Sequence, residues 1–105
     1  MLTQQVINEA VRVLADAAQP RSIVLFGSHA RGEARADSDL DLLVVEDEVT
    51  DRAAEMVRLR RALRPMRIPV DILVASVAEV ESRRLQPGHV LYWAMQEGRE
   101  VYAGS

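Results

Sequence analysis

A compact α+β layer, with helices laid on one small sheet, is the fold class this sequence predicts, and three observations predict it. Three short apolar runs, Ser22 to Phe26, Leu40 to Val45 and Ile68 to Ala75, are set off by glycine, proline or acidic residues and read as strands. Around and between them, apolar residues recur at helical spacing. The 105 residues carry 49% hydrophobic and 28% charged side chains, the range of a single globular domain built on one core, here residues 1–105.

Taken in order, Leu2, Val6, Ala10, Val13, Leu14 and Ala17 mark an amphipathic first helix that Gln19-Pro20 breaks. Ser22 to Phe26 follows as a strand buried on both faces and stopped by Gly27. His29 to Asp37 is small and polar, with room for a short helical turn at its start, before Leu40 to Val45 resumes strand character. Beyond an acidic turn from Glu46 to Asp51, Ala53, Met56, Val57, Leu59, Arg60 and Leu63 give a helix that Pro65 ends. Ile68 to Ala75 is a third strand in which Pro69 is tolerable only near the start. Ser76-Val77-Ala78-Glu79 has the form of a capping box, in which serine hydroxyl and glutamate carboxylate satisfy each other's backbone N–H groups, so a helix begins there. Pro87 is expected to open a last helix running through Met95 and closed by Gly98, with a short strand over Glu100 to Ala103. There is no repeat, linker or low-complexity segment.

Composition excludes several classes of function. No apolar run reaches about 18 residues and no secretory signal is readable, so neither a membrane span nor export is expected and the cytoplasm is the expected location. The absence of cysteine removes disulfides and thiolate metal sites, leaving oxygen or histidine to hold any metal. A formal net charge of -3 gives no overall field attracting nucleic acid, and direct stable binding to it is not expected. Arg58, Arg60, Arg61, Arg64 and Arg67, with Arg83 and Arg84, read as the solvated face of a helix; the alternative is a docking surface for an acidic partner or for nucleotide phosphates.

The chemistry gathers around Gly27 to Val45. Asp39 and Asp41 stand two apart in a predicted strand, so both leave one face while Leu40 and Leu42 leave the other. Two like charges so placed raise each other's pKa unless a cation lies between them, and oxygen ligands favour Mg²⁺, with Mn²⁺ next. Asp71 is a third carboxylate inside an apolar strand and closes the set if that strand lies beside the second. Gly27 lets backbone N–H groups approach a ligand, and a helical turn beginning at Ser28 aims its free N–H groups at an anion. Ser28 adds a hydroxyl donor. Arg31 either contacts phosphate or pairs with Asp37 or Glu33, and Ser38 ends the loop and orients the carboxylates.

These residues, GSHARGEARADSDLDLLV, resemble the signature of the DNA polymerase beta-like nucleotidyltransferase superfamily, and the brevity of the chain resembles its minimal nucleotidyltransferase (MNT) branch. Val70-Asp71-Ile72-Leu73-Val74 fits the family's third-aspartate strand, and Glu97 to Tyr102 is similar to its usual ending. The resemblance implies a polymerase beta palm-like fold, a small mixed sheet packed against helices. It further implies that Gly27 and Ser28 hold the triphosphate and that Asp39, Asp41 and Asp71 hold the metal, Asp71 also helping to activate the acceptor. The implied reaction moves AMP from ATP to a hydroxyl and releases pyrophosphate. With no room here for an acceptor-recognition domain, the expected acceptor is another protein. Small members of this branch pair as antitoxins with a HEPN-domain ribonuclease toxin, and the resemblance implies a hetero-oligomer in which a toxin tyrosine receives AMP. The alternatives are neutralisation by binding alone, or transfer to a small molecule or RNA end.

Outside the signature, His89 reads as a cap or a partly buried polar residue, and His29 as a surface or phosphate-adjacent one. Tyr92 and Trp93 are expected to anchor the last helix; exposed aromatic faces would instead mark a partner surface.

Overall fold

The computed structural model describes residues 2–104. Its elements are α1 (Gln4–Ala18), β1 (Ser22–Phe26), α2 (Gly27–Arg31), β2 (Leu40–Glu46), α3 (Arg52–Leu63) with a 3₁₀ turn over Arg64–Met66, β3 (Val70–Ser76), α4 (Val77–Arg83), α5 (Val90–Glu97) and β4 (Arg99–Ala103). The strands form one mixed sheet in the order β3-β2-β1-β4. β1 runs antiparallel to both β2 and β4, while β2 and β3 are parallel and joined through α3. Among the described residues no helix is long and apolar enough to cross a membrane.

Strand alternation divides the core in two. Ile23, Leu25, Leu40, Leu42, Val44, Ile72 and Val74 face α1 and α3. Val24, Leu43, Val45 and Ala75 face α4 and α5, meeting Val80, Leu91 and Ala94. Both faces of β2 are therefore covered, which is why its sequence is apolar without alternation.

Several boundaries differ from the sequence reading for local reasons. The face of α1 that packs is Ile7, Ala10, Val11 and Leu14, whereas Val6, Val13 and Ala17 are half-buried at its flank. β3 begins at Val70, not Ile68: Arg67 closes the 3₁₀ turn in the left-handed region at φ 52°, and Pro69 has no N–H to pair. Pro87 does not open the last helix. It lies in a turn in which His89 N–H donates to the Gln86 carbonyl at 3.0 Å, and α5 starts at Val90 because His89 Nδ1 accepts from Leu91 N–H at 3.1 Å. The capping box at Ser76 and Glu79 is present in both directions.

Candidate active site

The end of β1 sets the geometry. Phe26, its last residue, stands opposite Asp41 on β2, and Gly27 then turns the chain into α2 at φ 74°. A Cβ at Gly27 would come within 2.1 Å of Asp41 Oδ2, so this position is glycine both for its left-handed backbone and for the space the carboxylate fills. Phe26 caps α2 without a side-chain hydrogen bond, and Ser28 is half-buried in the first turn. The turn ends at Gly32, whose N–H donates to the Ser28 carbonyl.

β2 and β3 place Asp41 and Asp71 as register partners on adjacent parallel strands, so both leave the sheet on the face opposite α1 and α3, near its β3 edge. Asp41 is half-buried and Asp71 exposed. Burial pushes the Asp41 carboxyl above the ordinary carboxylate range, and the charges of Asp71 and then Asp39 push it further, with His29 and Arg31 pulling it back.

Asp39 does not share the strand as expected. Pairing starts at Leu40, whose N–H donates to the Pro69 carbonyl at 2.9 Å, so Asp39 stands exposed on the approach to β2 and its direction is set by the loop. Ser38 closes that loop: its Oγ accepts from Arg35 N–H at 2.8 Å and its N–H donates to the Arg35 carbonyl at 3.1 Å. His29 Nε2 lies 3.3 Å from the Ser38 carbonyl and fastens α2 to the same loop. Arg31 pairs with Glu33 at 2.6 Å and with Glu97 of α5 at 3.1 Å, so its guanidinium is held at the rim by two carboxylates. Nothing in the local sequence signals Glu97, which lies 66 residues from Arg31, or the carbonyl link from His29.

The donor set suits a hard divalent cation in its chemistry: three carboxylates, one of them driven toward protonation by its burial and then by the other two. In this conformation the three do not converge, and among the described residues no three acidic or histidine side chains stand close enough to hold an ion together.

A nucleotidyltransferase domain model matches residues 7–97. A candidate protein adenylyltransferase of Methanocaldococcus jannaschii is 40% identical over 45 residues, which are 43% of this chain and 45% of that protein; the match spans less than half of the relative's length. The fold is similar to that of a candidate nucleotidyltransferase of Sulfolobus solfataricus, with a TM-score of 0.65 at 22% identity over 94% of this chain and 78% of that one. It is also similar to a chain of the complex between the tri-AMPylated Shewanella oneidensis HEPN toxin and its MNT antitoxin, with a TM-score of 0.60 at 17% identity over 98% and 74%. A toxin–antitoxin complex with AMP-PNP gives 0.63 at 19% identity over 93% and 73%.

Proposed function

The chain belongs to the nucleotidyltransferase domain family, and on that premise we propose that it is an adenylyltransferase carrying AMP from ATP to a hydroxyl, the acceptor being a tyrosine of a HEPN ribonuclease toxin that it silences. The observation that carries this reading is the interlock of Gly27 with Asp41, beside Asp71 in register: an open backbone turn and two carboxylates meet at one corner of the sheet. The adenylyltransferase relative and the likeness to nucleotide-bound and AMPylated toxin–antitoxin complexes support AMP as the group moved and a toxin as the partner.

Gly27 and the first N–H groups of α2 receive triphosphate oxygens, and Ser28 Oγ–H donates a further hydrogen bond. Arg31 exchanges Glu33 for a phosphate oxygen while Glu97 keeps its guanidinium at the rim. Asp39, Asp41 and Asp71 would hold Mg²⁺, or Mn²⁺ in its place, which supplies neutralisation of the triphosphate and of the departing pyrophosphate. The acceptor oxygen bonds to the α-phosphorus as the bond from that phosphorus to the bridging oxygen breaks, pyrophosphate leaving with the electron pair. Asp71, exposed at the strand edge, takes the hydroxyl proton. Ser38 and His29 hold the loop that aims Asp39.

A second reading, neutralisation by binding alone, is favoured by α5, where Trp93 and Val90, three residues apart, are 54% and 49% exposed and offer an apolar surface to a partner. The deciding experiment incubates the protein and its co-purifying partner with ATP and Mg²⁺ and weighs both chains by intact mass. The expected outcome is one or more AMP units on the partner, formed about 10³-fold more slowly by Asp39→Asn/Asp41→Asn, which still forms the complex. A tight complex that neutralises the partner with no mass gained in either protein would establish the binding reading instead.

A further inference from the structure

The C-terminal half of α3 and the turn after it carry a concentration of unpaired positive charge in a chain whose net charge is -3. Arg58 is engaged by Glu55 and by the Ala17 carbonyl, and Arg52 by Glu79. Arg60, Arg61, Arg64 and Arg67 take part in none of the ion pairs or side-chain hydrogen bonds among the described residues, and all four are exposed. Arg60 and Arg64 lie one helical turn apart, where like charges cost stability. Arg67 stands at φ 52°, a backbone conformation that a glycine would adopt with less strain.

Three of these arginines, Arg60, Arg64 and Arg67, rim a groove of about 360 Å³ whose apolar floor is Leu63, Ile68 and Val70. The floor ends at Val70, the residue before Asp71. Alternation along β3 sends Val70 to the α3 face and Asp71 to the opposite face, and β3 is an outer strand of the sheet. A chain seated in the groove therefore touches the residue next to Asp71 on an outer strand, and reaches the carboxylate by passing around that open edge.

We infer that this groove is the docking surface for an acidic, partly apolar peptide segment of the protein acceptor, which it holds beside Asp71. The inference rests on the adenylyl-transfer reading for its acceptor, but the groove's chemistry stands by itself. Charge complementarity requires an anionic occupant, because three guanidinium groups without carboxylates would converge on it. The apolar floor selects a peptide over a polynucleotide: it takes an aliphatic side chain, and the groove offers no aromatic ring for a base to stack on.

The test is fluorescence anisotropy with a labelled peptide of alternating glutamate and leucine, set against a single-stranded oligonucleotide of equal charge. The expected result is binding of the peptide that weakens as salt rises and falls about tenfold or more in Arg60→Glu/Arg64→Glu/Arg67→Glu, with Arg→Lys at the same three positions restoring it. The neutral Arg→Gln triple variant, checked for an unchanged thermal midpoint, guards against a folding defect. No ATP enters the measurement, so Asp39→Asn/Asp41→Asn binds the peptide as the parent does, and failure of AMP transfer leaves this result standing. Equal peptide binding by the charge-reversed protein, no peptide binding by the parent, or preferential capture of the oligonucleotide would overturn the inference.

Discussion

A side chain at position 27 would occupy the place of the Asp41 carboxylate, and Gly32 supplies the control for that statement. Both glycines sit near φ 70°, Gly27 at 74° and Gly32 at 72°, but nothing lies within 4 Å of a Cβ at Gly32. Gly32→Ala should cost only the backbone strain, about 1 kcal/mol in a urea melt, and leave AMP transfer unchanged. Gly27→Ala should cost more and abolish transfer, because Asp41 must also move. Glu46 makes a pH-dependent case at the other end of β2. Its Oε2 is buried without a hydrogen-bond partner, and burial, then Glu55, pushes its carboxyl up to about 7 from an ordinary 4.5. The native state then binds more protons than the unfolded chain between those values, so stability present at low pH is lost as pH rises through that window. Glu55, pulled down to about 2 chiefly by Arg58, acts in a separate window: its contribution is present above 4.5 and is lost as pH falls toward 2. Glu46→Gln keeps a donor toward Glu55 without the charge. It should raise the urea midpoint at pH 8 by the equivalent of about 1 kcal/mol, limited by solvent screening at this half-buried residue, and change little at pH 4. A variant no more stable at pH 8 would refute the assignment.

At the scale of elements, the devices contained within a few residues are the ones legible in sequence. Ser76 Oγ accepts from Glu79 N–H and Glu79 Oε1 accepts from Ser76 N–H, both at 3.1 Å, and both partners are visible in four consecutive letters. Ser76→Ala removes half of this box from a helix of only seven residues and should lower stability by about 1 kcal/mol in the same melts. The start of α5 was not legible in the same way. Pro87 suits a first helical turn, but it serves equally in the turn before one; His89, read from sequence as a cap or a partly buried polar residue, is the cap, and its Nδ1 on Leu91 N–H fixes the start at Val90. Asp39 shows the same limit: whether it belongs to β2 depends on where β3 begins to pair, which is decided by Arg67 and Pro69, some thirty residues away.

Across the whole molecule, α1 and α3 cover one face of the sheet and α4 and α5 the other, while α2 touches β1, β2 and α5 and packs Ala30 on the α1/α3 core. The glycine turn and two carboxylates come together at one end of the sheet because the parallel β2–α3–β3 unit returns the chain to the end from which β2 started, which also leaves the arginine groove beside the first residue of β3. Sequence by itself determined the strands to within a residue or two, the capping box and the signature from Gly27 to Val44, since each is carried by neighbouring residues. Tertiary structure alone decided the register of Asp41 against Asp71, the filling of the Gly27 vacancy by a carboxylate, and the Arg31–Glu97 and Arg52–Glu79 pairs. Those are contacts between residues distant in the chain, and their geometry is set by which strand lies beside which, a property that no local pattern encodes.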